Sequence, residues 1–301
     1  MRGCRYLTCI NHSIDRENIK KEMKRFIYNA LLLLAVFIAM GCSSGENTAT
    51  RKSKEEIAAE RKKDSLALKV GVAQTINCLP AFVAQDEGIF DSLGVDVRLR
   101  HYTSMLDCDV SLRRHTIEGA FTDVKRMDYL NSHYKNLLLK SVMPTDMQWQ
   151  LVANRLSRLH EPKQFTDKMV AMTRFSATDF LCDRMVDSVK LNKERVFRIQ
   201  VNDVDLRLNM LLNNEIDAAW LPEPQASVAK RKGHNVLMQS GRGGEKLAVL
   251  AFTDRAMTDS RRKEQIDLFV KAYGIAQERI NKGGRSYYRQ LVKKYFNYQI
   301  N

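Results

Sequence analysis

At 301 residues the chain is long enough for two lobes, each with its own core. Its 49 Lys and Arg against 35 Asp and Glu give a formal charge of +14, but the bases lie in small scattered groups such as Lys230-Arg231-Lys232 and Arg261-Arg262-Lys263. With no finger, basic zipper or aromatic RNA-binding box, this reads as a solvated basic face and not as a nucleic-acid surface.

Met23-Lys24-Arg25 is a compact positive region, followed by the apolar run Phe26 to Met40. That run is about 15 residues, short of the ~20 a membrane span needs, and suits a signal peptide. Ala39-Met40-Gly41-Cys42 followed by Ser43-Ser44-Gly45 resembles a bacterial lipobox, with Ala39 where the motif usually has Leu. The resemblance implies that residues 1–41 are removed and that Cys42 carries lipid, with the remainder held at the cell envelope facing the periplasm. Residues 1–22 read as upstream sequence, with the true start at Met23. Residues 42–66 have no apolar period and read as a lipidated tether, disordered or loosely helical.

From Leu66 strands and helices alternate. Leu68 to Ala73 reads as a strand, followed by a turn and a helix with Pro80 in its first turn. Val95 to Tyr102 is a strand, Ser104 to Arg114 a helix, and Gly119 to Thr122 a short strand ending at Asp123. Leu137 to Met143 and Trp149 to Ala153 are further strands. A polar hinge, Asn154 to Thr166, follows.

The next stretch, Lys168 to Phe180 (KMVAMTRFSATDF), is the most informative. Met169 to Thr173 is a strand, Thr173-Arg174-Phe175 a turn, and Ser176 an N-cap with Asp179 three residues on. A strand turning tightly into a helix points backbone N–H groups and the positive helix end at one spot. In open α/β sheets ligands bind at such places. Ser176 to Val189 is a helix, Val196 to Val201 a strand, Val204 to Leu212 a helix, and Ile216 to Leu221 a strand. Pro224 to Lys232 is a helix and Asn235 to Gln239 a strand. Ser240 to Gly244 is a second hinge, Leu247 to Phe252 a strand, and Arg261 to Ile280 and Ser286 to Phe296 are closing helices. The pattern predicts α/β lobes with mostly parallel strands. It gives lobe one over 67–160, lobe two over 161–242, and a return to lobe one over 243–301.

Leu68 to Ser104, Glu118 to Asp123 (EGAFTD) and Ile216 to Pro224 (IDAAWLPEP) together resemble the periplasmic solute-binding proteins of ABC importers, of the nitrate, sulfonate, taurine and thiamine-precursor group. The resemblance implies a type 2 periplasmic binding protein fold: two lobes, each a mixed, mostly parallel sheet flanked by helices, with the ligand cleft between them. It implies a monomer that hands a small solute to a permease and its ATPase, with no cofactor or metal and no catalytic residue. Family members usually run further past their last helices than Asn301. Enzymes on the same fold, such as the fungal thiamine-pyrimidine synthase and the chorismate-dehydrating menaquinone enzyme, are alternatives, as is a ligand-sensing lipoprotein. The synthase relies on a Cys-rich segment that this chain lacks.

The ligand contacts expected from the first lobe are Thr75, Asn77, Cys78, Thr103, Ser104, Met105, Thr122 and Asp123. From the second they are Thr173, Arg174, Phe175, Ser176, Trp220 and Glu223. Phe175 and Trp220 have core packing as their alternative, and Asp123 has capping of the next helix. Cys78 and Cys108 are expected close together at the first-lobe rim, where a disulfide is open to them but geometrically demanding. Cys182 is then a small buried helix residue. Asp179 at the helix start, with Asp107, Asp123 and Glu223 against Arg174, favours a neutral or cationic organic solute over an inorganic anion. Phe175 and Trp220 would stack on its ring.

Overall fold

The computed structural model describes residues 54–241 and 245–300, with Arg25. The expected signal peptide apart from Arg25, Cys42 and the rest of the tether up to residue 53, and part of the second expected hinge lie outside the described residues. The chain divides into a unit of residues 1–58 and a unit of residues 59–301. Both sheets belong to the second unit.

In chain order the helices are α1 (Lys54–Leu66), α2 (Leu79–Asp86), α3 (Ile89–Ser92), α4 (Met105–Arg113), α5 (Val124–His133), α6 (Ala177–Ser188), α7 (Val204–Leu212), α8 (Gln225–Arg231), α9 (Asp254–Thr258) and α10 (Ser260–Phe296). The strands are β1 (Leu68–Val72), β2 (Val97–His101), β3 (Gly119–Asp123), β4 (Leu139–Pro144), β5 (Trp149–Ala153), β6 (Lys168–Met172), β7 (Val196–Gln200), β8 (Ala218–Pro222), β9 (Asn235–Gln239) and β10 (Ala248–Thr253).

They form two five-stranded sheets, ordered β2-β1-β3-β10-β4 and β7-β6-β8-β5-β9. In the first, β1 runs parallel to β2 and β3 while β10 runs antiparallel to β3 and β4. The second repeats this: β6 is parallel to β7 and β8, and β5 antiparallel to β8 and β9. The inner strands are apolar on both faces, as strands covered by helices on either side must be. Hence each lobe carries two buried clusters. Phe82, Phe252 and Phe269 lie in one cluster of the first lobe and Leu112, Leu130 and Val249 in the other. The second lobe has Trp149, Phe165 and Met185 in one and Leu208, Leu211 and Ala229 in the other.

Four expectations change. β5 belongs to the second sheet, so the chain leaves the first lobe at Thr145–Gln148 and not at 154–166. Pairing decides this: β5 lies between β8 and β9, with Leu151 opposite Trp220 and Met238. Helix α5, which no periodicity announced, follows the Asp123 cap. The two closing helices run together as α10, broken at Gly284, whose φ of 68° is left-handed. Finally, the end of the tether is the ordered helix α1. Glu55 and Glu56 stand in its first turn and Lys63 in its last, matching the helix dipole. Arg262 donates to the carbonyls of Ser65 (2.8 Å), Leu66 (2.9 Å) and Ala67 (2.8 Å), satisfying groups that a helix end leaves open.

Gly119 is required by packing. It pairs with Phe252 across β3 and β10, and a Cβ there would overlap the Phe252 ring. Because Phe252 is fully buried, the ring has nowhere to retreat. Gly119→Ala is expected to destabilise the protein by about 1–3 kcal/mol, read from urea unfolding midpoints at constant m. An unchanged midpoint would show that the β3–β10 contact is looser than described.

Candidate functional site

The carboxyl ends of the parallel strands in both lobes meet at one place. From the first lobe, β1 leads into a turn in which Thr75 Oγ1 donates to Asn77 Oδ1 (2.7 Å) and Asn77 Nδ2 to Thr145 Oγ1 (3.3 Å). Ser104, after β2, caps α4 by accepting from Leu106 N (3.2 Å). Asp123 ends β3 and caps α5, its Oδ1 accepting from Arg126 N (2.8 Å). From the second lobe, Ser176 caps α6, accepting from Thr178 N (3.1 Å). Asp203 caps α7, accepting from Leu206 N (2.9 Å).

The lobes touch through several of these groups. Asp123 Oδ1 also accepts from Ala177 N at the start of α6 (2.8 Å), so one carboxylate serves helix starts in both lobes. Arg126 Nη1 donates to Arg174 O (3.1 Å). Ile76 N donates to Glu223 O (3.0 Å) and Gln225 Nε2 to Gln74 O (3.0 Å). Ser104 and Asp203 form an isolated antiparallel bridge. Phe175 stacks on Tyr129 with ring centroids 4.3 Å apart and planes 3° apart. These contacts describe a closed pair of lobes.

Between the lobes lies a cavity with about 80 Å³ open to water centres, room for several waters or one compact solute. Of the residues expected at the site, Thr75, Asn77, Thr103, Ser104, Met105, Thr122 and Asp123 line it from the first lobe. Thr173 and Ser176 line it from the second. Five others are elsewhere. Cys78 is buried in the first-lobe core, its Sγ accepting from Ala73 N (3.4 Å). Trp220, 1 % exposed, is second-lobe core, the alternative its aromatic character allowed. Phe175, 49 % exposed, spends its ring on Tyr129. Arg174 is exposed and offers its carbonyl to Arg126. Glu223 accepts from Gln150 Nε2 (2.6 Å) and Ser227 N (3.1 Å). None of these five residues, nor Asp107, is among those that line the cavity. Among the described residues Cys78, Cys108 and Cys182 are buried free thiols, and Cys108 lines the cavity.

Sequence reasoning named Asp123 but missed the other charges that stand here, Asp109 and Arg207. Asp109 lines the cavity and forms a buried ion pair with Arg126, whose Nε donates at 2.6 Å. Burial holds the Asp109 carboxyl up at about 6, against the pull of Arg126. Arg207 also lines the cavity and is fully buried. It donates to Val201 O (2.6 Å), Trp220 O (2.7 Å) and Thr173 Oγ1 (2.6 Å), and burial lowers it to about 10. Asp123 is 0 % exposed, and burial pushes it up to about 7, against the pull of the amides of Arg126 and Ala177. One signal was available: Arg207 sits beside Leu208 and one turn before Leu211, a charge on an otherwise apolar helix face.

No family model matches the chain, and no curated protein matches it in sequence. Solved structures do match in fold. The ligand-binding component of an ABC-type import system from Staphylococcus aureus, with zinc bound, superposes with a TM-score of 0.64 at 15 % identity, over 77 % of this chain and 80 % of that one. The alkanesulfonate-binding protein SsuA from Xanthomonas axonopodis pv. citri, bound to MOPS, gives 0.64 at 11 % identity, over 76 % and 78 %. A conserved Candida albicans gene product with the generic periplasmic binding protein fold gives 0.58 at 12 % identity, over 76 % of each chain. The chain has the two-lobe α/β fold of periplasmic binding proteins.

The raised Asp123 value sets a sign for pH dependence. A carboxyl near 3.8 when unfolded and near 7 when folded holds its proton more tightly in the fold. Its contribution is full below about pH 4 and is lost as pH rises through 7. Asp123→Asn keeps the Oδ1 acceptor for both amides and removes the titration. In urea unfolding from pH 4 to 8, the variant is expected to gain on the wild type as pH rises, by up to about 4 kcal/mol. A difference that stays constant with pH would mean that Asp123 does not titrate there.

Proposed function

We propose that this chain is the extracytoplasmic solute-capturing component of an ABC import system, holding a small organic solute between its lobes and delivering it to a permease and its ATPase. The observation that carries this reading is the cavity walled by the strand ends of both lobes, which hinge closure would seal and opening would expose. The fold likeness to components of import systems supports it. In this reading Cys42 anchors a monomer to the membrane, with α1 joining the tether to the first lobe. The nine expected residues at the cavity are the candidate contacts, and Asp109 and Arg207 join them.

Two experiments test it. Full-length protein purified in detergent and examined by native mass spectrometry is expected to carry one small molecule per chain, released on unfolding, that raises the melting temperature when added back. No bound solute, with no stabilisation by any member of a solute library, would overturn solute capture. Cys42→Ala is expected to move the protein from the membrane to the soluble fraction and to abolish labelling by a radioactive fatty acid. Retained labelling would place the anchor elsewhere.

A further inference from the structure

From the hydrogen bonds that surround the cavity, and resting on the solute-capture reading above, we infer that the site takes a compact organic solute presenting N–H groups, such as an amide, an amidine or an aminoheterocycle, and excludes oxyanions. The positive end of α6, where an anion would be drawn, is already occupied by the carboxylate of Asp123 through Ala177 N (2.8 Å). Nearby donors are also spent inside the chain. Thr173 N donates to Thr178 Oγ1 (2.9 Å), Thr178 N to Ser176 Oγ (3.1 Å) and Leu106 N to Ser104 Oγ (3.2 Å).

The guanidinium groups are turned the same way. Arg207 is bonded to Val201 O, Trp220 O and Thr173 Oγ1, and Arg126 to Asp109 and Arg174 O. Among the described residues, two buried side-chain atoms that line this cavity have no partner: Asp123 Oδ2, which when ionised can only accept, and Thr122 Oγ1, which can accept or donate. A buried carboxylate oxygen without a partner is costly, and an N–H donor relieves that cost. Charge agrees: Arg126 is already paired with Asp109, and Asp203 lies near Arg207. An oxyanion would add a negative charge beside Asp123. The remaining wall, with Val72, Leu112, Ala120, Met147 and Trp149, suits an apolar body.

Calorimetry at pH 8 tests this on the full chain freed of co-purified solute, because Asp123 is then ionised. Facing it are Asp109 of α4, Arg126 of α5, and Arg207 of α7, which shares the cavity wall. The probes are 4-aminopyrimidine, acetamidine and nicotinamide on one side, and nitrate, sulfate and methanesulfonate on the other. At least one N–H donor is expected to bind and none of the anions. Asp123→Asn, which turns the free acceptor into a donor, is expected to weaken that binding 10- to 100-fold. Should that variant fail to fold, Thr122→Val is expected to weaken it about tenfold while melting within a few degrees of wild type. Binding of an anion with no response to any donor, or donor binding unaffected by either variant, overturns the assignment and leaves solute capture standing. Silence from both classes, with no co-purified solute, overturns both.

Discussion

Asp123 is the point on which the two lobes agree. It ends β3, caps α5 in its own lobe and accepts from the first turn of α6 in the other. A carboxylate with no exposure needs strong partners, and here two helix starts provide them. Because those helices belong to different lobes, both amides reach Asp123 only when the lobes are together. The Arg126 contact to Arg174 O and the Tyr129–Phe175 stack extend from the same helix, α5, onto the same loop. Closure, the cavity and its electrostatics are thus set by one side chain and its surroundings.

The lobes are built to one plan. Their sheets have the same order, and even the register repeats: Val70 opposite Gly119 in one, Val170 opposite Ala218 in the other. Ser104 and Asp203 hold equivalent places as caps and meet each other across the cleft. The plan departs from symmetry where it matters chemically. β3 ends on Asp123, whereas β8 ends on Pro222. One wall of the cavity therefore carries an acid and the other an apolar ring.

Much of this was legible in the sequence because it is local. The Lys168 to Phe180 stretch is a strand, turn and capped helix by its own residues, and Ser176 caps as its position demands. Asp179, read as a cap, accepts from Phe175 N (3.0 Å) and pairs with Arg198. What was not legible is non-local. WQLVA looks like a strand in either lobe, and only pairing with β8 and β9 assigns it. Phe175 sits at a left-handed φ of 56°, which turns its ring outward to Tyr129 in a way no period predicts. The buried charges are hidden for the same reason. Asp109 and Arg126 are 17 positions apart, and their meeting depends on two helices packing on one sheet.

The connectivity has a consequence for how the molecule assembles. Every strand of the second sheet lies in the uninterrupted segment from Trp149 to Gln239, while the first sheet waits for β10, which is Ala248–Thr253. The two crossings run side by side, with Thr145 N donating to Ala248 O (2.9 Å). The second lobe is in effect a guest inserted into a host. As the polypeptide emerges from its N-terminus, the guest has all its partners before the host has its fifth strand. The host core closes only after a loop of more than 100 residues has been drawn in, a separation that slows the search for native pairing. The half of the molecule that is made first is therefore the half that finishes last.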